Sequence, residues 1–141
     1  MTNRSPFRVV LVDNHPIIRD GYQNLLEADE DFSVVGEADA GEEILEKISD
    51  VDADLAIIDI SLGGMDGIEL THRLAEKAPS LRVLIASMHG KGRYVEDALE
   101  AGASGYVLKD NVHNTLLEAA RTVMEDDQYM DNDLKGPIGV A

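Results

Sequence analysis

Five short apolar runs alternate along the chain with segments whose apolar residues recur every three or four positions. The runs are typical of β-strands, and the segments between them are typical of helices. The predicted strands are FRVVLV (7–12), FSVVGEA (32–38), DLAIID (54–59), LRVLIAS (81–87) and SGYVLK (104–109). Strands that alternate with helices predict a parallel sheet covered by helices on both faces.

Each predicted helix carries its apolar residues on one face, and local signals mark several helix ends. Pro16 suits the first turn of the first helix, with Asn14 or His15 as the cap. Pro79 prevents the third helix from continuing, and Gly102 suits the end of the fourth. The apolar faces comprise Ile17, Ile18, Leu25 and Leu26; Ile44, Leu45 and Ile48; Ile68, Leu70, Leu74 and Ala75; Tyr94, Val95, Ala98 and Leu99; and Leu116, Leu117, Ala120 and Val123.

The apolar pattern also indicates which strands lie inside the sheet. Strands buried on both faces read as continuous apolar runs, whereas FSVVGEA is more mixed and suits an edge. We therefore predict a flavodoxin-like, doubly wound α/β domain: a five-stranded parallel sheet of order 2-1-3-4-5 with five helices. The predicted domain covers residues 7–127, between an N-terminal tail (1–6) and an acidic, then Gly- and Pro-containing C-terminal tail or linker (128–141).

Composition narrows the class of protein. The 141 residues suffice for one domain, and 12 basic against 28 acidic residues give a net charge of −16. A nucleic-acid backbone would repel this charge, so direct nucleic-acid binding by these residues is not expected. The chain has no cysteine, no apolar run long enough to span a membrane and no signal-peptide pattern at its start. We therefore expect a cytoplasmic protein that makes no membrane contact.

Polar side chains stand where the predicted strands end. Asp13 and Asn14 follow the first strand, Asp59 ends the third, Ser87 the fourth and Lys109 the fifth. These four strands are neighbours in the predicted order, and open α/β sheets bind ligands beyond the carboxyl ends of their strands. Carboxylates, a hydroxyl and an ammonium group are therefore expected to converge in one crevice.

This set of groups suits phosphoryl chemistry assisted by a hard cation. Asp13 and Asp59 offer oxygen ligands of the kind that Mg²⁺ prefers. Asp59 can act as a nucleophile, as carboxylates do in aspartyl-phosphate chemistry, and Lys109 can hold a phosphate oxygen as a point charge. We expect Gly63 and Gly64 to let the backbone of the following loop approach the site.

Four sequence blocks carry a family resemblance. VVLVDNHP, LAIIDISLGGMDG, VLIASMH and GASGYVLKD, in this order, resemble the motifs of the CheY-like receiver domain of two-component response regulators. The resemblance covers nearly the whole chain, from about residue 7 to about residue 127. The DNHP and LKD segments are most similar to the NarL/FixJ branch. The resemblance implies a phosphoacceptor switch, capable at most of self-catalysed phosphotransfer and autodephosphorylation, rather than an enzyme.

The resemblance implies a metal site and a phosphoacceptor. Asp59 matches the aspartate that accepts the phosphoryl group, and Asp13 matches the first acid of the metal pair. Asn14 stands at the position of the second acid, and the backbone carbonyl of Ser61 matches a further Mg²⁺ ligand. The implied cofactor is Mg²⁺.

The resemblance also implies residues that hold the phosphoryl group and respond to it. Ser87 and Lys109 match the hydroxyl residue and the lysine that contact it, and Tyr106 matches the aromatic residue whose rotamer reports activation. Ser61 and His89 match the two variable positions that tune its lifetime. From the residues alone, core packing is the commoner role of a strand aromatic such as Tyr106, and Lys109 is distinguished from an ordinary exposed lysine only by its place after the fifth strand.

The implied partners are a histidine kinase and, on activation, a second copy of the chain. The NarL/FixJ branch implies a transcription factor whose DNA-binding helix-turn-helix follows the linker, and these 141 residues hold no such domain. Whether they are the receiver portion of a longer regulator or act alone is left open.

Two departures from the family pattern leave alternatives open. Asn14 brings no charge to the metal site, so we expect weaker Mg²⁺ binding and slower phosphorylation, and Leu62-Gly63 replaces the usual Met-Pro. A phosphorylation-independent interaction module on the same fold therefore remains an alternative. An aspartyl-phosphate phosphatase of the haloacid dehalogenase type is disfavoured because Ser61 stands where such enzymes need a second acid. A flavin-binding protein is disfavoured because no hydroxyl-rich loop follows the first strand.

Overall fold

Six strands and five helices alternate along the chain in a computed structural model that describes residues 5–131. Residues 1–4 and 132–141, which belong to the predicted tails, lie outside the described residues. A 3₁₀ turn, Lys109–Asn111, joins the fifth strand to the fifth helix. The strands are β1 (Phe7–Val12), β2 (Phe32–Ala38), β3 (Leu55–Ile58), β4 (Arg82–Ser87), β5 (Gly105–Leu108) and β6 (Tyr129–Met130). The helices are α1 (Pro16–Glu27), α2 (Gly41–Lys47), α3 (Gly67–Lys77), α4 (Gly92–Ala101) and α5 (Val112–Met124).

The strands form one parallel sheet in the order β2-β1-β3-β4-β5-β6. The predicted class, helix count and 2-1-3-4-5 order are therefore confirmed, and β2 lies at the edge as expected. The expectation of five strands is corrected to six. Strand β6 has two residues and follows an acidic stretch, so it carries no apolar periodicity that could have indicated it. Asp126, in a left-handed conformation with a φ of 66°, belongs to the turn that leads the chain from α5 to β6.

Two apolar layers cover the sheet, one on each face. Alternate residues of β1 and β3 point to opposite faces, which explains why both strands are almost wholly apolar and buried. One layer packs against α1 and α5 and includes Leu26 and Leu116. The other packs against α2, α3 and α4 and includes Ile44 and Leu70. In the register of β1 and β3, Val12 pairs with Ile58, so Asp13 and Asp59, which directly follow these residues, lie side by side.

Three of the predicted helix signals agree with the structure, whereas His15, at the N-cap of α1, makes no side-chain capping hydrogen bond. Pro16 is the first residue of α1. Helix α3 ends at Lys77, and Ala78 leaves the helical conformation directly before Pro79. Gly102 follows α4 with a φ of 118°, a left-handed conformation that favours glycine. Among the described helices, none has the length and apolar character needed to cross a membrane.

Candidate functional site

The carboxyl ends of the strands bring the predicted site residues together. Asp13 directly follows β1, Asp59 directly follows β3, Ser87 is the last residue of β4, and Lys109 directly follows β5. The remaining predicted residues are Asn14, Ser61 and His89, in the loops after β1, β3 and β4, and Tyr106 within β5. All of them lie on or next to the edge of the sheet where the strand order predicted a crevice.

A lysine holds two buried carboxylates at the centre of this edge. Lys109 Nζ lies 2.9 Å from Asp13 Oδ2 and 3.1 Å from Asp59 Oδ2. Asp13 is 1% exposed and Asp59 is 4% exposed. Two carboxylates this deeply buried require a neighbouring cation, because desolvation penalises an unpaired charge. The pocket between β1, β3 and β5 is therefore built to hold positive charge between Asp13 and Asp59.

Arg19 on α1 anchors the loop that carries Asp13, a role that the sequence analysis missed. Its Nη1 donates to the backbone carbonyl of Asp13 and lies 2.5 Å from Asp39 Oδ1, and its Nε donates to Glu37 Oε1 at 2.7 Å. Arg19 thus ties the end of β1 to the end of β2. The contacts depend on a long side chain reaching across two loops, for which the local sequence gives no signal.

Backbone N–H groups hold the loop after Asp59. The N–H of Ser61 donates to Asp59 Oδ1 at 3.2 Å, and the N–H of Gly67 donates to the carbonyl of Ile60 at 2.9 Å. A Cβ on Gly67 would collide with the backbone carbonyl of Asp59 and lie 2.8 Å from Ile60 Cα. Helix α3 therefore begins in direct contact with the backbone of the phosphoacceptor candidate.

The expectation that Gly63 and Gly64 let the loop backbone approach the site is corrected by this contact. Gly63 has open space around its missing side chain, and Gly64 has a φ of 77° and lies beside Glu42 rather than beside Asp59. Gly67 is the glycine that permits the close approach. The sequence marks it only as the first residue after Asp66, whose carboxylate caps α3 by accepting from the N–H of Glu69 at 2.8 Å.

A second set of contacts links Ser87 to Tyr106 and to the loop after β4. Ser87 Oγ accepts a hydrogen bond from the N–H of His89 at 3.0 Å, and the Tyr106 hydroxyl donates to the carbonyl of His89 at 2.6 Å. The His89 ring stacks on Tyr94 of α4 with 4.4 Å between ring centroids, and His89 Nε2 lies 3.3 Å from Ser61 Oγ. Tyr106 itself is fully buried in the core, and this burial raises its pKa above the usual range. His89 therefore connects the β3–α3 loop, α4 and β5 at one point.

The donor set of the pocket fits a divalent cation. Asp13, His15 and Asp59 each offer one ligand atom, and these atoms lie within 4.8 Å of one another. His15 Nδ1 is 3.0 Å from Asp13 Oδ1, so the His15 ring faces the acid instead of capping α1. Asn14 is exposed beside Asp13. Carboxylate oxygens suit Mg²⁺, and the ammonium of Lys109 marks a place where the pocket already holds positive charge.

Tyr22 of α1 is a buried polar residue that the sequence analysis did not single out. It is 4% exposed, and its hydroxyl has no hydrogen-bond partner among the described residues. Burial raises the pKa of Tyr22 far above its ordinary value, and the charges of Asp13 and Asp59 add to that shift. The negative charges of Asp13 and Asp59 therefore disfavour the ionised form of Tyr22.

Comparison with known proteins identifies the class to which this site belongs. Residues 9–121 match the response regulator receiver domain family, and the chain belongs to that family. The nitrate/nitrite response regulator NarL of Escherichia coli K12 is 39% identical over 119 residues, which cover 84% of this chain and 55% of NarL. The similarity supports a receiver of the NarL/FixJ type, as the sequence motifs predicted. The chain spans about half the length of this curated relative.

Solved structures agree with the assignment. A LuxR-family response regulator from Aurantimonas sp. SI85-9A1 is 35% identical with a TM-score of 0.88, and the match covers 92% of this chain and 93% of that one. The isolated receiver domain of RcsB from Salmonella enterica, solved in the presence of the phosphomimetic BeF₃⁻, is 26% identical with a TM-score of 0.86, covering 92% of this chain and 96% of that one. RcsB dimers have also been solved bound to DNA, and this chain matches 66% of the RcsB chain in that structure.

Proposed function

We propose that Asp59 accepts a phosphoryl group from a histidine kinase, with Mg²⁺ held by Asp13, Asp59 and the backbone carbonyl of Ser61. The observation that carries this proposal is the convergence of Asp13, Asp59 and Lys109, since two buried carboxylates and an ammonium group lie within ion-pair distance. Asn14 would add an uncharged amide oxygen at the rim of the metal site.

The transfer is an in-line substitution at phosphorus. An oxygen of the Asp59 carboxylate attacks, a P–O bond forms, and the bond from phosphorus to the kinase's histidine nitrogen breaks, leaving the electron pair on that nitrogen. Mg²⁺, when bound, would neutralise part of the charge on the phosphoryl oxygens. Lys109 then pairs with a phosphoryl oxygen, and its ion pair with Asp13 keeps the ammonium group close to the site.

The charge added at Asp59 gives the switch its driving force. Ser87 can donate its hydroxyl proton to a phosphoryl oxygen. Because the N–H of His89 donates to Ser87 Oγ, a movement of the Ser87 side chain toward the phosphoryl group would pull the loop after β4 with it. That loop also holds the Tyr106 hydroxyl and stacks on Tyr94 of α4. Phosphorylation therefore favours one arrangement of α4, β5 and α5 over another through its different contacts in the two states. Ser61 and His89, in contact across the mouth of the site, would set the lifetime of the phosphoryl group.

The output we propose is control of transcription in the cytoplasm. The switched surface would form a homodimer, and a DNA-binding domain outside these residues would read the promoter. The names of the relatives support this proposal, because they are response regulators and RcsB has been solved as DNA-bound dimers. The net charge of −16 supports assigning DNA contact to another part of such a regulator.

Intact mass after incubation with acetyl phosphate and MgCl₂ tests the chemistry. We expect one phosphoryl adduct on the wild type and none on Asp59→Asn. Asp54→Asn, at the other end of the same predicted strand, is the matched control and should still be labelled. Asn14→Asp run in parallel tests the alternative function: labelling of that variant but not of the wild type would favour a phosphorylation-independent interaction module. Labelling of Asp59→Asn would refute the proposed acceptor.

A further inference from the structure

Asp131, directly after β6, is a buried carboxylate next to the site. It is 5% exposed. Its Oδ2 accepts from the backbone N–H of Leu108 at 3.2 Å, and Asn111 Nδ2 lies 3.1 Å from Oδ1 and 3.2 Å from Oδ2. Its own N–H donates to the carbonyl of Tyr106 at 3.1 Å. One residue thus binds β5 at two points and the 3₁₀ turn after it at a third.

The two donors to this carboxylate flank Lys109. Leu108 immediately precedes it, and Asn111 ends the 3₁₀ turn that it begins. Lys109, the first residue of that turn, pairs through its side chain with both Asp13 and Asp59. The Asp131 carboxylate thus holds the backbone N–H directly before Lys109 and a side chain two residues after it, which limits the positions that the Lys109 side chain can reach.

We infer that Asp131 is a positioning residue for Lys109, and that β6 is part of the support of the phosphoacceptor site. Without the Asp131 carboxylate, the Leu108 N–H and the Asn111 amide lose an acceptor, and the turn is free to shift Lys109 away from the two carboxylates. A partner that displaces β6 would act on Lys109 in the same way. The inference rests on the proposed function where it concerns the phosphoryl group, because Lys109 is the group proposed to hold it.

A double-mutant cycle between Asp131→Ala and Lys109→Met separates positioning from plain structural support. The equilibrium constant for unfolding in urea is measured for wild type, both single variants and the double variant, without any ligand. If Asp131 acts through Lys109, the change in the unfolding constant of the double variant differs from the product of the two single changes by more than about threefold. A smaller departure would overturn the inference. Asp54, whose carboxylate accepts from the N–H of Arg8 at 2.9 Å, gives the control. The effects of Asp54→Ala and Lys109→Met on the unfolding constant should simply multiply in the double variant.

Binding of BeF₃⁻ with Mg²⁺ gives a second readout that connects the inference to the site. We expect Asp131→Ala to weaken this binding about tenfold, and Asp131→Asn to weaken it less because one amide oxygen can still accept. Asp54→Ala should bind as the wild type does. Equal weakening by Asp54→Ala and Asp131→Ala would overturn the inference, because loss of stability alone would then explain both. A wild type that takes up no BeF₃⁻ would count against the proposed function only, and the unfolding cycle would still decide the role of Asp131.

Discussion

Lys109 and Asp13, 96 positions apart in the chain, form an ion pair of 2.9 Å in which both side chains are largely shielded from water. Asp59 shares the same ammonium group at 3.1 Å. One cation therefore compensates two buried carboxylates from two other strands. The site is an electrostatic unit, and changes at one member are expected to be felt at the others.

Lys109→Ala should lower the free energy of unfolding by about 3–5 kcal/mol, because it leaves buried carboxylates without their cation. Added MgCl₂ should restore part of this loss, since a cation that binds only the folded state stabilises it. Urea unfolding with and without MgCl₂ measures both effects. Lys47→Ala is the control: its pair with Glu43 is exposed and should contribute less than about 1 kcal/mol. Equal losses in the two variants would contradict the electrostatic account.

Asn14→Asp should strengthen Mg²⁺ binding roughly tenfold, because it adds a charged oxygen ligand beside Asp13. Isothermal titration with MgCl₂ gives the dissociation constants directly. Asn24→Asp adds the same charge to an exposed position of α1 and controls for the general effect of net charge. If both variants gain equally, the gain comes from the overall field of the protein and Asn14 is not at the metal site.

Gly67→Ala should destabilise the fold by about 3 kcal/mol or more, because the added Cβ collides with the backbone at Asp59 and Ile60. The backbone of the β3–α3 loop would have to move to admit it. Thermal and urea unfolding followed by circular dichroism measure the loss. Gly63→Ala, at a position with open space, should change stability by less than about 1 kcal/mol. A Gly67→Ala variant as stable as Gly63→Ala would show that the loop yields easily.

Tyr22→Phe should stabilise the protein at neutral pH by about 1 kcal/mol, because it removes a buried hydroxyl that has no partner among the described residues. Tyr106→Phe should instead destabilise by about 1 kcal/mol, because it loses the hydrogen bond to the carbonyl of His89. Urea unfolding of the two variants at pH 7 makes the comparison. The same sign for both changes would contradict this interpretation.

Tyr22 should also govern part of the alkaline stability. Burial raises the pKa of Tyr22 above its ordinary value of 10.0, so the unfolded chain loses this proton at a lower pH than the folded chain. The resulting stabilisation is complete below pH 10 and declines as the pH rises above it. Urea unfolding from about pH 8 to about pH 11 should therefore show a smaller loss for Tyr22→Phe than for wild type. Parallel curves for the two proteins would rule Tyr22 out as the source.

Much of the fold could be predicted because it depends on patterns repeated along the chain. Continuous apolar runs indicated strands buried on both faces, and the mixed run at 32–38 indicated an edge. The strand order then placed Asp13, Asp59, Ser87 and Lys109 on one edge without any knowledge of side-chain contacts. The structure confirms the fold and brings these residues together, while their chemical roles stay predictions.

The features that sequence analysis missed depend on contacts between distant segments. Arg19 reaches across two loops, and Gly67 is constrained by the backbone of Asp59. Asp131 binds Leu108 and Asn111, which lie 23 and 20 positions away in the chain. None of these contacts produces a local periodicity or a recognisable spacing. The same holds for β6, since two residues are too few for an alternation of apolar and polar positions.

Strand β6 has a consequence for the solubility of the domain. The unpaired backbone groups of an open strand edge are a template on which other chains can add, and very short terminal strands are one way to block such growth. By pairing with Gly105 and Tyr106, β6 covers part of an edge formed by the apolar strand β5, while the opposite edge belongs to the more polar β2. A chain that ended before Tyr129 would bare this part of β5, and its tendency to aggregate should rise even where its core remained intact.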